Sequence, residues 1–262
     1  MNLGLENKNA LVLASSRGLG YGIAQVLVRE GANVILTGRS EDMLTTGAER
    51  LSAMGPGTAI PLISDLSKQD SAQSIYDGSL DRLGGVDILV NNTGGPPPGV
   101  ITSVKSESWI AQFEMMVLRI MEITNLCLPA MRAAGDGRIL TLGSSGIVQP
   151  IPNLGMSNTL RSALVGWTKT LSSEVAGDGI TVNMLIPGRI HTERVDELDA
   201  AAAKRQDKTV EAIAVASRNT IPAGRYGRVE EFASVAAFLV SDKASYVTGS
   251  IVRCDGGLIR SV

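Results

Sequence analysis

The first residues in this chain whose types and spacing suit chemistry are Ala14-Ser-Ser-Arg-Gly-Leu-Gly20. An apolar run, Ala10 to Ala14, stops abruptly there, and a helical pattern with Ile23, Val26 and Leu27 on one face follows at once. A strand, a tight turn and a helix start in succession make an anion site. The first N–H groups of a helix have no intrahelical acceptor, and the helix dipole adds partial positive charge at that end. Gly18 and Gly20 keep side-chain atoms out of the way, so the backbone can approach a group such as a pyrophosphate. The spacing departs from G-x-G-x-x-G, because position 23 is Ile.

Cofactor discrimination would fall at the end of the next apolar run, Asn33-Val-Ile-Leu-Thr-Gly38, where Arg39 follows. A carboxylate at such a strand end, about 20 residues past the Gly turn, would accept from the 2′-hydroxyl of NAD. Arg39 would instead pair with a 2′-phosphate, and Arg17 adds a second cation at the same corner. NADP(H) is therefore expected in preference, with NAD(H) still possible. Glu41 and Asp42 read as first-turn acids that complement the next helix dipole. Asp65, followed by Leu66, closes a third apolar run, and a capping role suits it as well as a cofactor contact.

These positions need a frame to hold them. Strands are expected at Leu11–Leu13, Asn33–Thr37, Thr58–Ile63, Asp87–Asn91, Arg138–Leu142, Thr181–Ile186 and Ser250–Arg253. Helical patterns lie between them, near 19–30, 41–54, 68–83, 107–134, 155–177 and 229–240. The helix at 107–134 carries Pro129 near its end, where a kink or break is expected. Such alternation predicts an α/β fold, one doubly wound parallel sheet of about seven strands with helices on both faces. No Pro/Ser-rich linker divides the chain, so residues 1–262 are read as a single domain. The segment 193–226 is helical, Ala-rich and strandless, and it is placed where a substrate-side lid would sit.

Composition narrows the function classes. A net charge of −2 without a basic block, and 3% aromatic residues, give nucleic acid or an anionic membrane surface little to hold. The longest apolar runs, such as Val235 to Val240, are too short to span a bilayer. Met1 to Lys8 lacks the layout of a signal peptide, and the expected compartment is the cytoplasm. Cys127 and Cys254 are far apart, and His191 is the single histidine, so neither a disulfide framework nor a metal site is expected.

The stretch at 13–20 resembles the T-G-x-x-x-G-x-G turn of the short-chain dehydrogenase/reductase family, with Leu13 and Ala14 in the places of its Thr and first Gly. Asn91-Asn-Thr-Gly94 is similar to the family's N-N-A-G, and Pro187-Gly188 to its P-G. Gly227-Arg-Val-Glu-Glu231, Thr248-Gly-Ser250 and Asp255-Gly-Gly257 resemble its closing helix and strand. The nearest branch is the 3-oxoacyl-acyl-carrier-protein reductase type. The resemblance implies a Rossmann-like domain, a homo-oligomer (tetramer or dimer), and hydride exchange between NAD(P)(H) and a carbonyl or alcohol. It also implies cofactor contacts from Ala14, Ser16, Arg17, Gly18, Leu19, Gly20, Arg39, Asp65, Leu66, Asn91, Thr93, Gly94, Arg161, Pro187, Gly188, Ile190 and Thr192.

In that family a Tyr phenol protonates the carbonyl oxygen and a Lys one helical turn later lowers the phenol's pKa. A Ser polarises the carbonyl, and an Asn positions a water. Thr168-Lys-Thr-Leu-Ser-Ser-Glu174 matches the end of the catalytic helix, which puts Ser157 in the Tyr place and Arg161 in the Lys place. Ser144 occupies the Ser place, thirteen residues before Ser157, and Met116 the Asn place. A serine hydroxyl is a far weaker acid than a phenol of pKa about 10, and a guanidinium relays no proton. Tyr21, Tyr76, Tyr226 and Tyr246 lie in the wrong segments, though Tyr226 borders the expected lid, so the substitute donors are His191 or a water held by Ser144, Ser157 and Arg161.

The expected activity is an NADP(H)-dependent oxidoreductase with an altered site, acting on a small carbonyl, alcohol or acyl thioester. A catalytically silent NADP(H)-binding sensor or partner subunit, and non-redox chemistry on a bound nucleotide, are the alternatives.

Overall fold

Alternation along each strand sends residues to opposite faces of a sheet. Ala10 and Val12 of the first strand join one apolar cluster, while Leu11 and the following Leu13 join a second. That two-sided burial is what a sheet with helices on both faces demands. The computed structural model, which describes residues 1–261, has this arrangement. The strands are β1 (Asn9–Val12), β2 (Asn33–Gly38), β3 (Thr58–Ile63), β4 (Ile88–Asn91), β5 (Gly137–Leu142), β6 (Ile180–Pro187) and β7 (Ile251–Cys254). Every pairing is parallel, and the order is β3-β2-β1-β4-β5-β6-β7.

One face carries α1 (Gly18–Arg29), α2 (Glu41–Ser52) and α9 (Val229–Leu239), whose Leu27, Leu44 and Phe232 enter the first cluster. The other carries α3 (Ser71–Leu83), α5 (Arg119–Ala134) and α6 (Gly155–Val175), which bring Ile75, Ile123 and Leu164 to the second. The chain reverses its direction of winding between β1 and β4. The carboxyl ends of those two neighbours therefore open onto the crevice where α/β sheets bind ligands.

Three expectations change. β1 spans Asn9–Val12 rather than 11–13, because Ala14 has φ +46° and takes the chain out of the extended region. The single helix at 107–134 is α4 (Ser106–Phe113), a π-helical turn (Glu114–Leu118) and then α5. Pro129 lies inside α5 and does not end it. Pro129 and Asn125, whose carbonyl loses its partner, both lie on the exposed side, where water can serve. The helix stops instead at Gly135, in the left-handed region at φ +63°. Residues 193–226 form α7 (Glu193–Gln206) and α8 (Val210–Asn219) with irregular chain after them, and no strand.

Candidate active site

The turn after β1 is tied on two sides. The Ala14 N–H donates to Thr37 Oγ1 (3.0 Å), the Ser15 N–H to the Thr37 carbonyl (2.8 Å), and Thr37 N–H back to Ser15 Oγ (2.9 Å). From the end of β4, Asn92 Nδ2 donates to the Ala14 carbonyl (3.1 Å). These bonds hold Ala14 left-handed and aim α1 at the crevice. A Cβ on Gly20 would lie 2.7 Å from the Ala14 oxygen, so only glycine lets the helix start this close to the turn.

At its N-terminus α1 has no side-chain cap and no acid in its first turn. A Cβ on Gly18 would meet nothing nearer than Thr192 Cγ2 at 4.0 Å, and one on Gly94 nothing within 4 Å. The turn, Gly94 and Thr192 thus border open space beneath an uncapped helix end. That cradle fits the pyrophosphate of a dinucleotide. Ser16 packs against Gly38, and Leu19 lies at the edge of the first apolar cluster.

At the neighbouring corner a cavity of ≈ 340 Å³ is lined by Arg39, Ile63, Ser64, Asp65 and Lys68. Asp65 accepts from the Ser67 N–H at 3.0 Å, and that bond, with smaller help from Arg39 and Lys68, holds its carboxyl below the usual range. Its observed work is to close a turn. Lys68, a second cation facing the same cavity as Arg39, escaped the sequence reading, since nothing in its spacing distinguishes it from a solvated surface lysine. Arg17 points elsewhere: its guanidinium is paired with Glu193 and lies 3.8 Å from Glu197, both on α7.

Two of the expected catalytic positions share one helix. Ser157 and Arg161 sit one turn apart on α6. The first turn of α6 packs directly on the Ser144–Ile147 bend. A Cβ on Gly146 would fall 2.2 Å from Asn158 Oδ1. Ser144 Oγ accepts from the Gly146 N–H at 3.1 Å. Arg161 Nη1 donates to the Leu142 carbonyl (3.1 Å) and Nη2 to the Thr93 carbonyl (3.3 Å), bridging the ends of β5 and β4. Among the described residues it has no carboxylate partner. Burial, with a smaller contribution from Arg194, lowers its pKa to about 10, which leaves it cationic at neutral pH.

Met116 lies inside the π-helical turn and is buried in the second cluster, where a thioether offers only packing. No tyrosine is placed to replace the missing phenol. The Tyr226 hydroxyl donates to Asp199 Oδ2 (2.6 Å), Tyr21 and Tyr76 lie on α1 and α3, and Tyr246 is fully exposed. His191 is exposed and pairs with Asp196 at 3.3 Å.

The remaining expected contacts differ in how they face the crevice. Thr93 offers its carbonyl to Arg161. Asn91 is buried and donates to Thr124 Oγ1 (3.1 Å), bracing α5 from below. Leu66 and Ile190 turn their side chains into the two apolar clusters. Pro187 ends β6, and Gly188 lets the chain pass Asp255, whose Cα would be 2.5 Å from a Cβ there. Arg194, absent from the sequence reading, reaches from α7 to the Pro96 carbonyl (3.0 Å).

With this geometry in view, comparison with known proteins gives one answer. The family model described as enoyl-(acyl carrier protein) reductase matches residues 13–259. The 3-oxoacyl-[acyl-carrier-protein] reductase FabG of Salmonella typhimurium is 35% identical over 98% of this chain and 99% of its own. Bacillus subtilis YvrD, an uncharacterized oxidoreductase, is 33% identical with both chains covered completely. The structure of L-sorbose reductase from Gluconobacter frateurii, complexed with NADPH and L-sorbose, superposes with a TM-score of 0.94 at 29% identity, covering 100% of each chain. The family model and the full-length relatives agree, and the chain belongs to the short-chain dehydrogenase/reductase family of oxidoreductases.

Proposed function

We propose that this protein is an NADP(H)-dependent oxidoreductase of the 3-oxoacyl-acyl-carrier-protein reductase kind, in which a guanidinium and two serines stand at the reacting oxygen in place of a phenol. One observation carries the reading. Arg161 is a cation without a counter-ion among the described residues, pinned by the Leu142 and Thr93 carbonyls at the ends of β5 and β4 and one turn from Ser157.

NADP(H), when bound, supplies or accepts the hydride. The protein's part is positioning and charge. The free N–H groups of α1, with Gly18 and Gly20, hold the pyrophosphate, and Arg39 with Lys68 meets the 2′-phosphate. Ser144 donates a hydrogen bond to the substrate oxygen, and Arg161 stabilises the negative charge that develops there as a carbonyl is reduced. A water held by Ser157 and Arg161 is the proton source, because neither side chain is an effective acid at neutral pH. The segment 193–226 closes over the substrate, and the working form is a cytoplasmic homo-oligomer. NADPH in the Gluconobacter frateurii relative's structure supports the cofactor choice; no helix of the described residues is long and apolar enough to cross a membrane.

The loss of Tyr, Lys and Asn from their expected places favours a second reading, a catalytically silent NADP(H)-binding sensor or partner subunit. NADPH consumption by purified protein over ketones, β-ketoacyl thioesters, imines and quinones separates the two. Turnover of any class that falls when Ser144 becomes Ala upholds the enzyme. Tight NADPH binding without turnover on every class supports the silent protein.

A further inference from the structure

Position 199 holds an aspartate where the pattern of its helix calls for an apolar side chain. Val195, Asp199 and Ala203 lie four residues apart along α7, and all three are buried. An unpaired carboxylate in such a stripe would be costly, and Asp199 is only 3% exposed. Both of its oxygens are paired. Arg189 Nη1 donates to Oδ1 at 3.1 Å, and the Tyr226 hydroxyl donates to Oδ2 at 2.6 Å. Neither partner belongs to α7. Arg189 lies just past the end of β6, and Tyr226 is the last residue of the 193–226 segment. One buried carboxylate thus ties together the way into this segment, its first helix and the way out.

What it ties down is an edge of the cofactor cradle. The Gly227 N–H donates to the Arg189 carbonyl (2.9 Å) and the His191 N–H to the Gly227 carbonyl (2.8 Å). Thr192 follows, its methyl 4.0 Å from where a Cβ on Gly18 would stand. On the α8 side Asp199 and Tyr226 line a cavity of ≈ 440 Å³ with Glu211 and Arg218, so hydrogen bonds rather than close packing hold the turn from there. With both oxygens engaged inside the chain, Asp199 acts through its partners and not on a ligand.

We infer that Asp199 is a positioning residue for the cofactor. Through Arg189 and Tyr226 it seats the 188–192 turn and the start of α7 against the glycine turn before NADPH arrives. This rests on the reading of the crevice as a dinucleotide site. Removing one member of a buried pair leaves the other charge uncompensated, and here that charge is on the turn itself. NADPH would then have to order the turn as it binds, and a site seated only part of the time binds with its affinity reduced by that fraction. The loss falls on binding and not on the reaction that follows.

The test begins with Asp199→Asn, which keeps the size of the side chain and removes its charge. NADPH, titrated by fluorescence, is expected to bind about tenfold more weakly, as it would to a turn seated about a tenth of the time. Tyr226→Phe and Arg189→Lys, each of which spares one of the two bonds, should weaken binding less, and they keep the inference open to refutation if the asparagine variant folds poorly. Hydrogen exchange gives a second readout. Residues 188–206 should be less protected in free Asp199→Asn than in the natural protein and recover with saturating NADPH, while β4 and β5 stay as protected as before. On any substrate the natural protein turns over, KM for NADPH should rise with kcat nearly unchanged. NADPH binding that none of the variants weakens overturns the inference. So does a loss of protection shared by the whole sheet, the mark of an aspartate that only supports the fold. A natural protein that binds no NADPH removes the dinucleotide reading, and the inference with it.

Discussion

Arg17, at the tip of the glycine turn, is ion-paired with Glu193 in the first turn of α7. The bond joins the phosphate corner to the segment proposed as a lid. If Arg17 serves the cofactor, it must change partners when NADPH arrives. Both side chains are more than half exposed, and such a pair is worth at most about 1 kcal/mol, less than a charge-assisted bond to phosphate. Removing the competitor should then help: Glu193→Gln is expected to tighten NADPH binding by about two- to fivefold. Fluorescence titration measures it, and unchanged or weaker binding would mean that Arg17 stays with α7.

The same coupling predicts a difference in motion. Without ligand, residues 193–226 should exchange amide hydrogens faster than the sheet, and NADPH with substrate should slow them. Protection equal to that of β4 and β5 in the free protein would remove the lid.

Ala14 offers a stability test. Its φ of +46° costs an alanine roughly 1 kcal/mol relative to glycine, and the Thr37 and Asn92 hydrogen bonds hold it there. Ala14→Gly should raise the melting temperature by about 2–4 °C, the shift that 1 kcal/mol produces in a chain of this size. Thr37→Val, which keeps the shape and removes the Ala14 acceptor, should lower it. A melting temperature that Ala14→Gly leaves alone or lowers would show that the turn stores no strain.

Cofactor choice is tested at the corner cavity. Arg39→Asp should narrow or reverse the preference for NADPH over NADH, and Lys68→Ala should weaken NADPH binding while leaving NADH binding nearly unchanged. Equal affinities for the two cofactors in the natural protein would dispose of this assignment.

How far the sequence could be read depended on how local the determining physics is. Strand positions and the two-sided core follow from apolar periodicity, and the glycine turn from a strand running straight into a helix. Ser144, Ser157 and Arg161 were singled out through the family resemblance, and they lie in the bend after β5 and one turn apart on α6. The π-helical turn was invisible, since Glu114–Leu118 differs from a regular helix only in which carbonyl each N–H finds. Lys68 and Arg194 were missed for another reason. Each matters through a tertiary neighbour, Arg39 across a cavity or the Pro96 carbonyl across the crevice, and no period or motif records such a pairing. Arg17 was expected to face a 2′-phosphate beside Arg39, but its partner comes from α7, far along the chain.

The altered catalytic positions give the most direct test of the scaffold. α6 keeps Ser157 one turn before Arg161 and packs against the Ser144 bend, so the frame for a phenol–ammonium pair is present without its side chains. Ser157→Tyr with Arg161→Lys should place a phenol beside an ammonium, facing Ser144. Met116→Asn adds an amide inside the π-helical turn, whose irregular carbonyls offer it a partner, though the exchange takes a buried thioether from the second cluster and should cost stability. The triple variant is expected to reduce β-ketoacyl thioesters or activated ketones at least tenfold faster than the natural protein, because a positioned general acid contributes roughly 10²–10⁴ in rate. Ser144→Ala in that background should remove most of the gain. If the double variant without Met116→Asn gives the same rise, the buried methionine has no part in the proton path. If the natural protein already turns over a substrate faster than either variant, then Ser157 and Arg161 perform chemistry of their own, and the phenol is not what this site lost but what it was rebuilt to do without.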